Sequence, residues 1–284
     1  MDWLNSMNKA IDYIEDNITE KIDIKEIAKI ALSSEFHFQR MYYMITGVTI
    51  SEYIRRRRLS LAAQDLFMGA RVTDVAFKYG YESLESFSKA FKKMHGINPS
   101  KVKKQGVKLI SYPKLSFHIS IKGEKSMDYK IEKKKGFKVI GKQKKVNMNG
   151  GENFKVVPMF WDELMKDGSL EFLGSKAGKM GVLGVCKDFD MIKNEFNYMI
   201  AVEDAMEDVP KGYIKATIPD ATWAIFESIG PLPESIQTLT KRIFTEWLPS
   251  SGYQHACAPE LEVYYSGDTK SEDYRCEVWI PINK

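Results

Sequence analysis

One pattern occurs twice between Ile24 and Lys104, and that repetition restricts the chain more than any other feature. Ile24, Ile27, Ala28 and Ala31 space out a short amphipathic helix. Ser33 and Ser34 then offer an N-cap, and a second helix over 35–46 stops at Gly47, a residue suited to a left-handed C-terminal cap. Val72, Val75, Ala76 and Tyr79 repeat the short helix, closed by Gly80. Ser83 caps the next helix, about 84–95, which ends at Gly96. The apolar residues predicted to face inward are Phe38, Met41, Tyr42 and Ile45 in one copy, and Leu84, Phe87, Ala90, Phe91 and Met94 in the other. Each copy reads as a helix–turn–helix. Between them Thr49 and Glu52 sit at capping-box spacing and open a helix running to about Phe67, roughly 27 Å long at about 1.5 Å per residue. A leading helix over 3–17 carries an apolar stripe of Trp3, Leu4, Met7, Ala10, Ile11, Ile14 and Ile18.

Charge divides the chain in the same place. Residues 40–104 hold 13 Lys/Arg against five acids, and residues 108–148 hold 12 lysines against three. Residues 149–284 hold 13 basic and 22 acidic residues. A basic front suits a polyanion and an acidic back does not, although charge runs are also ordinary solvated surface. No run of about 18 apolar residues occurs, which argues against a membrane helix. The acids at 2, 12, 15 and 16 argue against a secretory signal. Three scattered cysteines and four histidines without paired spacing point to a reduced, cytoplasmic chain needing no metal and no cofactor.

In a helix–turn–helix the second helix can enter a major groove, where Gln and Arg make bidentate contacts to base edges. Gln39 and Arg40 fit that role, and equally fit exposed helix residues with no partner. Phe36 and Tyr43 are expected on the same outer faces. Glu85, Ser86, Lys89 and Lys92 are left facing outward on the second copy. Arg55 to Arg58 can contact phosphate, pack their stems or pair with acids; a helix points consecutive residues to different sides, so about half of them, Arg55 among them, face DNA.

These residues carry a resemblance. IKEIAKIA…SSEFHFQRMYYMITG, SEYIRRRRLSLAAQDL and VTDVAFKYGYESLESFSKAFKKMHGINPS resemble the DNA-binding domain of the AraC/XylS family. The resemblance implies two groove-reading helices on one face of promoter DNA. It places base-reading residues at Phe36, Gln39 and Arg40, and at Glu85, Ser86 and Lys89. Some relatives carry Gln and Arg where this chain has Glu85 and Lys89, so the second helix is expected to discriminate bases weakly or differently.

The second half changes character. Residues 101–126 are Lys-rich, with Leu109, Ile110, Leu115, Phe117, Ile119 and Ile121 as a short extended segment. Alternating strands are predicted at 128–133, 137–146, 180–186, 195–203, 213–218, 222–228, 260–265 and 275–282, with helices at about 154–167 and 233–248. The order strand–helix–strand–strand occurs twice, which predicts an α+β domain of two pseudo-repeated halves with a cleft between them. NYMIAVE, IPDATWAIFESIGPLPESI, WLPSSGY and PELEVYY…YRCEVWIPI resemble the GyrI-like effector-binding family of the Rob/BmrR type. That resemblance implies an aromatic cleft with a buried carboxylate that takes amphipathic, often cationic, organic molecules, as in multidrug binding. Glu260, Glu262 and Tyr264 share one strand face, and Glu277 and Trp279 share another. Glu262 is the first choice of carboxylate and Glu277 the second, with Glu260 beside it and Trp223, Tyr198, Tyr264 and Trp161 as lining. An isolated strand Glu is also commonly solvent-facing, and a helix Trp commonly core.

The reading is therefore an all-α double helix–turn–helix domain over 1–107, a basic linker over 108–126 and an α+β small-molecule domain over 127–284. Its predicted function is a transcription regulator, in the family's commoner mode an activator, that binds double-stranded promoter DNA, a small organic ligand and RNA polymerase. Two units in one chain permit a monomer on DNA, and no membrane is involved. The rivals are a hydrolase or scavenger of reactive small molecules in the same cleft, and an antirepressor-like protein-binding module. No catalytic triad order, P-loop or dinucleotide motif favours other chemistry.

Overall fold

Caps and apolar spacing set the helices of the first hundred residues. In the computed structural model, which describes residues 3–104, 107–117, 126–148, 151–204 and 208–284, α1 (Trp3–Asp16) buries Met7, Ala10, Ile11 and Ile14 along one stripe. α2 (Ile24–Ile30) starts where the Asp23 carboxylate accepts the Lys25 N–H at 2.9 Å. α3 (Glu35–Thr46) starts where Ser34 Oγ accepts the His37 N–H at 3.2 Å, and stops at left-handed Gly47. α4 (Ile50–Phe67) and α5 (Val72–Lys78) follow. α6 (Leu84–His95) starts where Ser83 Oγ accepts the Ser86 N–H at 3.2 Å, and stops at left-handed Gly96.

Two units emerge from the contacts, Met1–Phe38 with Ile50–Ile121, and Gln39–Thr49 with Lys122–Lys284. In the first, Leu59, Ala62 and Leu66 of α4 pack with Val75, Ala76 and Tyr79 of α5 and with Phe87 and Phe91 of α6. Leu84 departs from expectation: at the first position of α6 it is 40% exposed. The arginine run splits by side. Arg57 reaches Glu15 through Nε and an NH2 group at 2.6–3.1 Å and donates to the Tyr112 carbonyl at 2.6 Å. Arg58 donates to the carbonyls of Ile18 and Glu20. Arg56 pairs with Glu52 at 2.7 Å and stacks over Tyr112. Arg55 also meets Glu52 but remains 47% exposed. Two of the four thus tie down the leading segment.

Residues 107–117 form no strand; unit 1 side chains hold them instead. The Tyr112 N–H donates to Ser60 Oγ at 2.9 Å, the Leu115 N–H to the Tyr53 hydroxyl at 3.2 Å, and the Phe117 N–H to Asn8 Oδ1 at 2.8 Å. The Ile110 N–H donates to His95 Nδ1, which leaves Nε2 to donate to the Leu59 carbonyl. Burial pulls His95 below the usual histidine range, consistent with a neutral ring between one donor and one acceptor. Ile119 and Ile121 lie outside the described residues.

The second unit is built on β1 (Tyr129–Lys134), β2 (Phe137–Asn147), α7 (Asn153–Lys166), α8 (Ser169–Lys176), β3 (Val182–Asp190), β4 (Glu195–Glu203), β5 (Ile214–Ile218), β6 (Ala221–Ile229), α9 (Glu234–Arg242), a π turn over Ile243–Trp247, α10 (Leu248–Ser251), β7 (Gln254–His255), β8 (Glu260–Tyr264) and β9 (Arg275–Asn283). Apolar spacing and alternation in the sequence do not mark α8 or β7. The strands form one antiparallel sheet in the order β1-β6-β9-β8-β3-β4-β2-β5, with β7 on β9. The predicted duplication is visible in it: β8-β9-β6 and β3-β4-β2 run outward from the centre in matching order. The edges are exchanged, because β1 precedes the first half but pairs with β6, and β5 precedes the second but pairs with β2.

Alternation gives the sheet two unlike faces. On one, Leu183, Val185, Met199, Ala201, Trp223, Ile225, Leu261, Val263 and Trp279 pack on one another. On the other, Ile140, Val146, Phe196, Ile200 and Val202 lie under Phe160 and Leu164 of α7 and Leu173 of α8. Phe226 meets Trp247 of the π turn on that same face, ring centroids 4.9 Å apart.

Candidate ligand cleft and DNA-facing helices

A cleft of about 690 Å³ opens on the helix-covered face of the second unit. Its chemistry comes from β8, whose pleat sends Glu260, Glu262 and Tyr264 to the cleft side and Leu261 and Val263 to the packed side. The Glu262 carboxylate accepts from the Tyr198 hydroxyl at 2.5 Å and from the Tyr264 hydroxyl at 2.9 Å. Trp161 Nε1 on α7 donates to the Tyr198 oxygen at 2.9 Å, and the Trp161 ring meets Tyr264 edge-on at 4.8 Å. Gly184 on β3 stands opposite Glu262, and a Cβ there would collide with both the Tyr198 hydroxyl and the Glu262 carboxylate. Its glycine makes room for the phenol–carboxylate pair.

Two neighbouring carboxylates have opposite electrostatics. Burial pushes the Glu262 carboxyl above the usual range, against the two phenol hydrogen bonds, and the like charge of Glu260 adds to the rise. Among the described residues no cation acts on it. Burial also pushes the Tyr198 and Tyr264 phenols well up, reinforced by Glu262, so both remain donors. Burial acts on Glu260 as well, but there the Arg40 charge and hydrogen bonds from His255 and Arg40 prevail and hold the carboxyl at about 2. Arg40 Nε and one NH2 group meet the two Glu260 oxygens at 2.6 and 2.7 Å, and His255 Nε2 lies 3.0 Å from Oε1.

Glu260, Glu262, Tyr198, Tyr264 and Trp161 are thus brought together at the cleft. Trp223 and Glu277 are not. Antiparallel register pairs Glu262 with Val278, which puts Glu277 on the opposite face, where it accepts from Trp279 Nε1 at 2.7 Å. Trp223 is fully buried on that face, its ring 5.8 Å from Trp279. Sequence reasoning missed Gly184, although a glycine inside an apolar strand marks a close approach. It also missed Met44, Cys186, Leu232 and Ile236 as lining.

Among the residues proposed to face DNA, Glu85, Ser86, Lys89 and Lys92 are exposed along α6. Phe36 and Gln39 are partly buried. Arg40 is only 6% exposed, and Tyr43, expected outward, is 2% exposed, its hydroxyl donating to the Met148 carbonyl at 2.8 Å. Among the described residues no helix is long and apolar enough to cross a membrane.

A double helix–turn–helix followed by a helix-backed sheet with an acidic aromatic cleft defines a DNA-binding regulator with a small-molecule domain. Residues 127–283 match the model of the GyrI-like small molecule binding domain, and residues 27–105 that of a helix-turn-helix domain. The HTH-type transcriptional activator AarP of Providencia stuartii is 38% identical over 95 residues, 33% of this chain and 70% of AarP. The right origin-binding protein of Escherichia coli K12 is 34% identical over 101 residues, so the match spans only 35% of that protein's length. A solved structure of SAV2435 bound to tetraphenylphosphonium is 26% identical, with a TM-score of 0.50, and covers 55% of this chain and 94% of that one. The chain belongs to the GyrI-like family through its second half, and to the AraC-type helix–turn–helix transcription regulators through its first.

Proposed function

We propose that this regulator is a transcription activator that reads promoter DNA through α3 and α6 and is controlled by an organic cation bound beside Glu262. The observation that carries the reading is Glu262 itself, a carboxylate held by two phenols in an aromatic cleft, with no cationic partner among the described residues. Such a group is costly in a dry site, and a cation that displaces water supplies the missing charge. Trp161, Tyr198 and Tyr264 add ring faces that attract it. Support comes from SAV2435, which was solved with a lipophilic phosphonium, and from AarP, named as an activator. We read the cleft as a binding site and not as a hydrolase, because both phenols stay protonated and are already spent on Glu262. Two helix–turn–helix units in one chain meet two groove segments without a dimer, so a cytoplasmic monomer beside RNA polymerase is the working form.

Titration of the full chain with tetraphenylphosphonium tests the ligand half. Glu262→Gln keeps the phenol contacts and removes the charge, and should weaken binding about tenfold or more, in line with about 1.5–3 kcal/mol for interactions of a charged group. Because the Glu262 carboxyl is raised, affinity should begin to fall as pH drops while still above 4.5. Equal affinity of the two proteins would remove Glu262 from the site. Selection of duplexes from random sequence, at fixed salt, tests the DNA half: two elements about one helical turn apart are expected. Salt-sensitive but sequence-blind binding would overturn it.

A further inference from the structure

We propose that Glu260 is a latch that keeps Arg40 from DNA, and that a cation in the adjoining cleft loosens it; the second clause rests on the function proposed above. Arg40 is held by more than one device. Its guanidinium is bidentate on Glu260, the geometry in which a carboxylate and an arginine interact most strongly. The rings of Phe189 and Phe244 lie 4.7 and 5.0 Å from its Cζ. Three residues on, the Tyr43 hydroxyl donates to the Met148 carbonyl and contacts Asn153 Oδ1 at 2.9 Å, and Met44 packs beside it. The stretch of α3 from Gln39 onward is therefore built into the second unit.

An arginine so placed cannot present its donors to a guanine edge. Binding DNA through Arg40 requires breaking two charge-assisted hydrogen bonds, which leaves Glu260 with His255 as its one side-chain partner among the described residues. Apparent DNA affinity is then reduced by the fraction of molecules whose Arg40 is free. The latch and the ligand site share a wall, since Arg40, Met44, Glu260 and Glu262 all line the one cleft. A cation seated at Glu262 lies next to Glu260 on the same strand face. It repels the Arg40 guanidinium, competes for the Glu260 charge and needs volume that Arg40 and Met44 border. Ligand and latch thus oppose each other, and ligand and DNA favour the same released state.

Glu260→Gln removes the charge that holds Arg40 while keeping a polar side chain. Without ligand, this full-length variant should bind the selected duplex about tenfold more tightly than the unaltered protein, and adding Arg40→Ala should abolish the gain. In the unaltered protein tetraphenylphosphonium should strengthen DNA binding, DNA should strengthen tetraphenylphosphonium binding by the same factor, and Glu260→Gln should bring that factor close to one. A folded Glu260→Gln protein with unchanged or weaker DNA affinity overturns the latch. So does tetraphenylphosphonium that binds with no effect on DNA affinity, which overturns its release. Absence of any tetraphenylphosphonium binding instead marks failure of the ligand reading, and the Glu260→Gln gain still decides the latch. Should the variant not fold, phenylglyoxal labelling of the unaltered protein, read by mass spectrometry, settles the same point: Arg40 protected relative to Arg55 supports the latch, and equal labelling overturns it.

Discussion

α3 and α6 are two versions of one helix with opposite fates. Each is capped by a serine whose hydroxyl accepts the N–H three residues on, and each ends at a left-handed glycine. Six residues after the cap stands Arg40 in one and Lys89 in the other. Lys89 is exposed, and Arg40 is buried on Glu260. The decisive difference lies nine and ten residues after the cap, where α3 has Tyr43 and Met44 and α6 has Lys92 and Lys93. Tyr and Met gain by leaving water, whereas two ammonium groups do not. Tyr43 and Met44 pack into the core of the second unit, whereas Lys92 and Lys93 leave the matching face of α6 exposed.

The sharpest test of this contrast is thermal. Arg40→Ala leaves Glu260 buried without its main partner, which costs about 3–5 kcal/mol. Lys89→Ala, on an exposed face, should stay within about 0.5 kcal/mol. Unfolding midpoints that fall equally would break the comparison. Acid offers a second, smaller effect. The Glu260 carboxyl lies at about 2 when folded, against an ordinary 4.5, so its stabilising contribution is complete above 4.5 and is lost as pH falls toward 2. Denaturant midpoints followed over that window should decline less in Glu260→Gln, while Lys89→Ala should follow the unaltered protein. The smallest effect belongs to the DNA side. Lys89→Ala and Arg55→Ala should each lower the slope of log affinity against log salt by about one if each meets a phosphate. An unchanged slope for Lys89→Ala would show that Lys89 meets no phosphate.

Much of this was legible in the sequence. The extents of α1, α3, α4 and α6 follow from caps and apolar spacing almost to the residue. The strands and their duplicated order follow from alternation. The grouping of Glu262 with Tyr264 follows from the pleat of one strand. What alternation cannot supply is which face of one strand joins which face of the next, because that is set by register. The resemblance places Trp223 and Glu277 at the cleft, and the pairing of Glu262 with Val278 and of Trp223 with Pro281 sends them to the other side. Periodicity likewise marked Tyr43 as outward because the helix core was already full. Its actual partners, Met148 and Asn153, lie about a hundred residues away in sequence.

The exchanged edges of the sheet carry a consequence for how the protein is made. Tyr129 of β1 pairs with Phe226, about a hundred residues later, although β2 is its neighbour in the chain. During synthesis β1 leaves the ribosome long before β6 exists, so it waits without its strand partner, its backbone bonded to water, and such long-range pairing is slow to form. Neither half can be completed alone, since each borrows its outermost strand from the sequence that leads into the other. Gene fragments encoding a single half should therefore yield chains with a bare strand edge, prone to join one another. The duplication is closed into a single sheet, and the cleft on it is lined by residues of both copies.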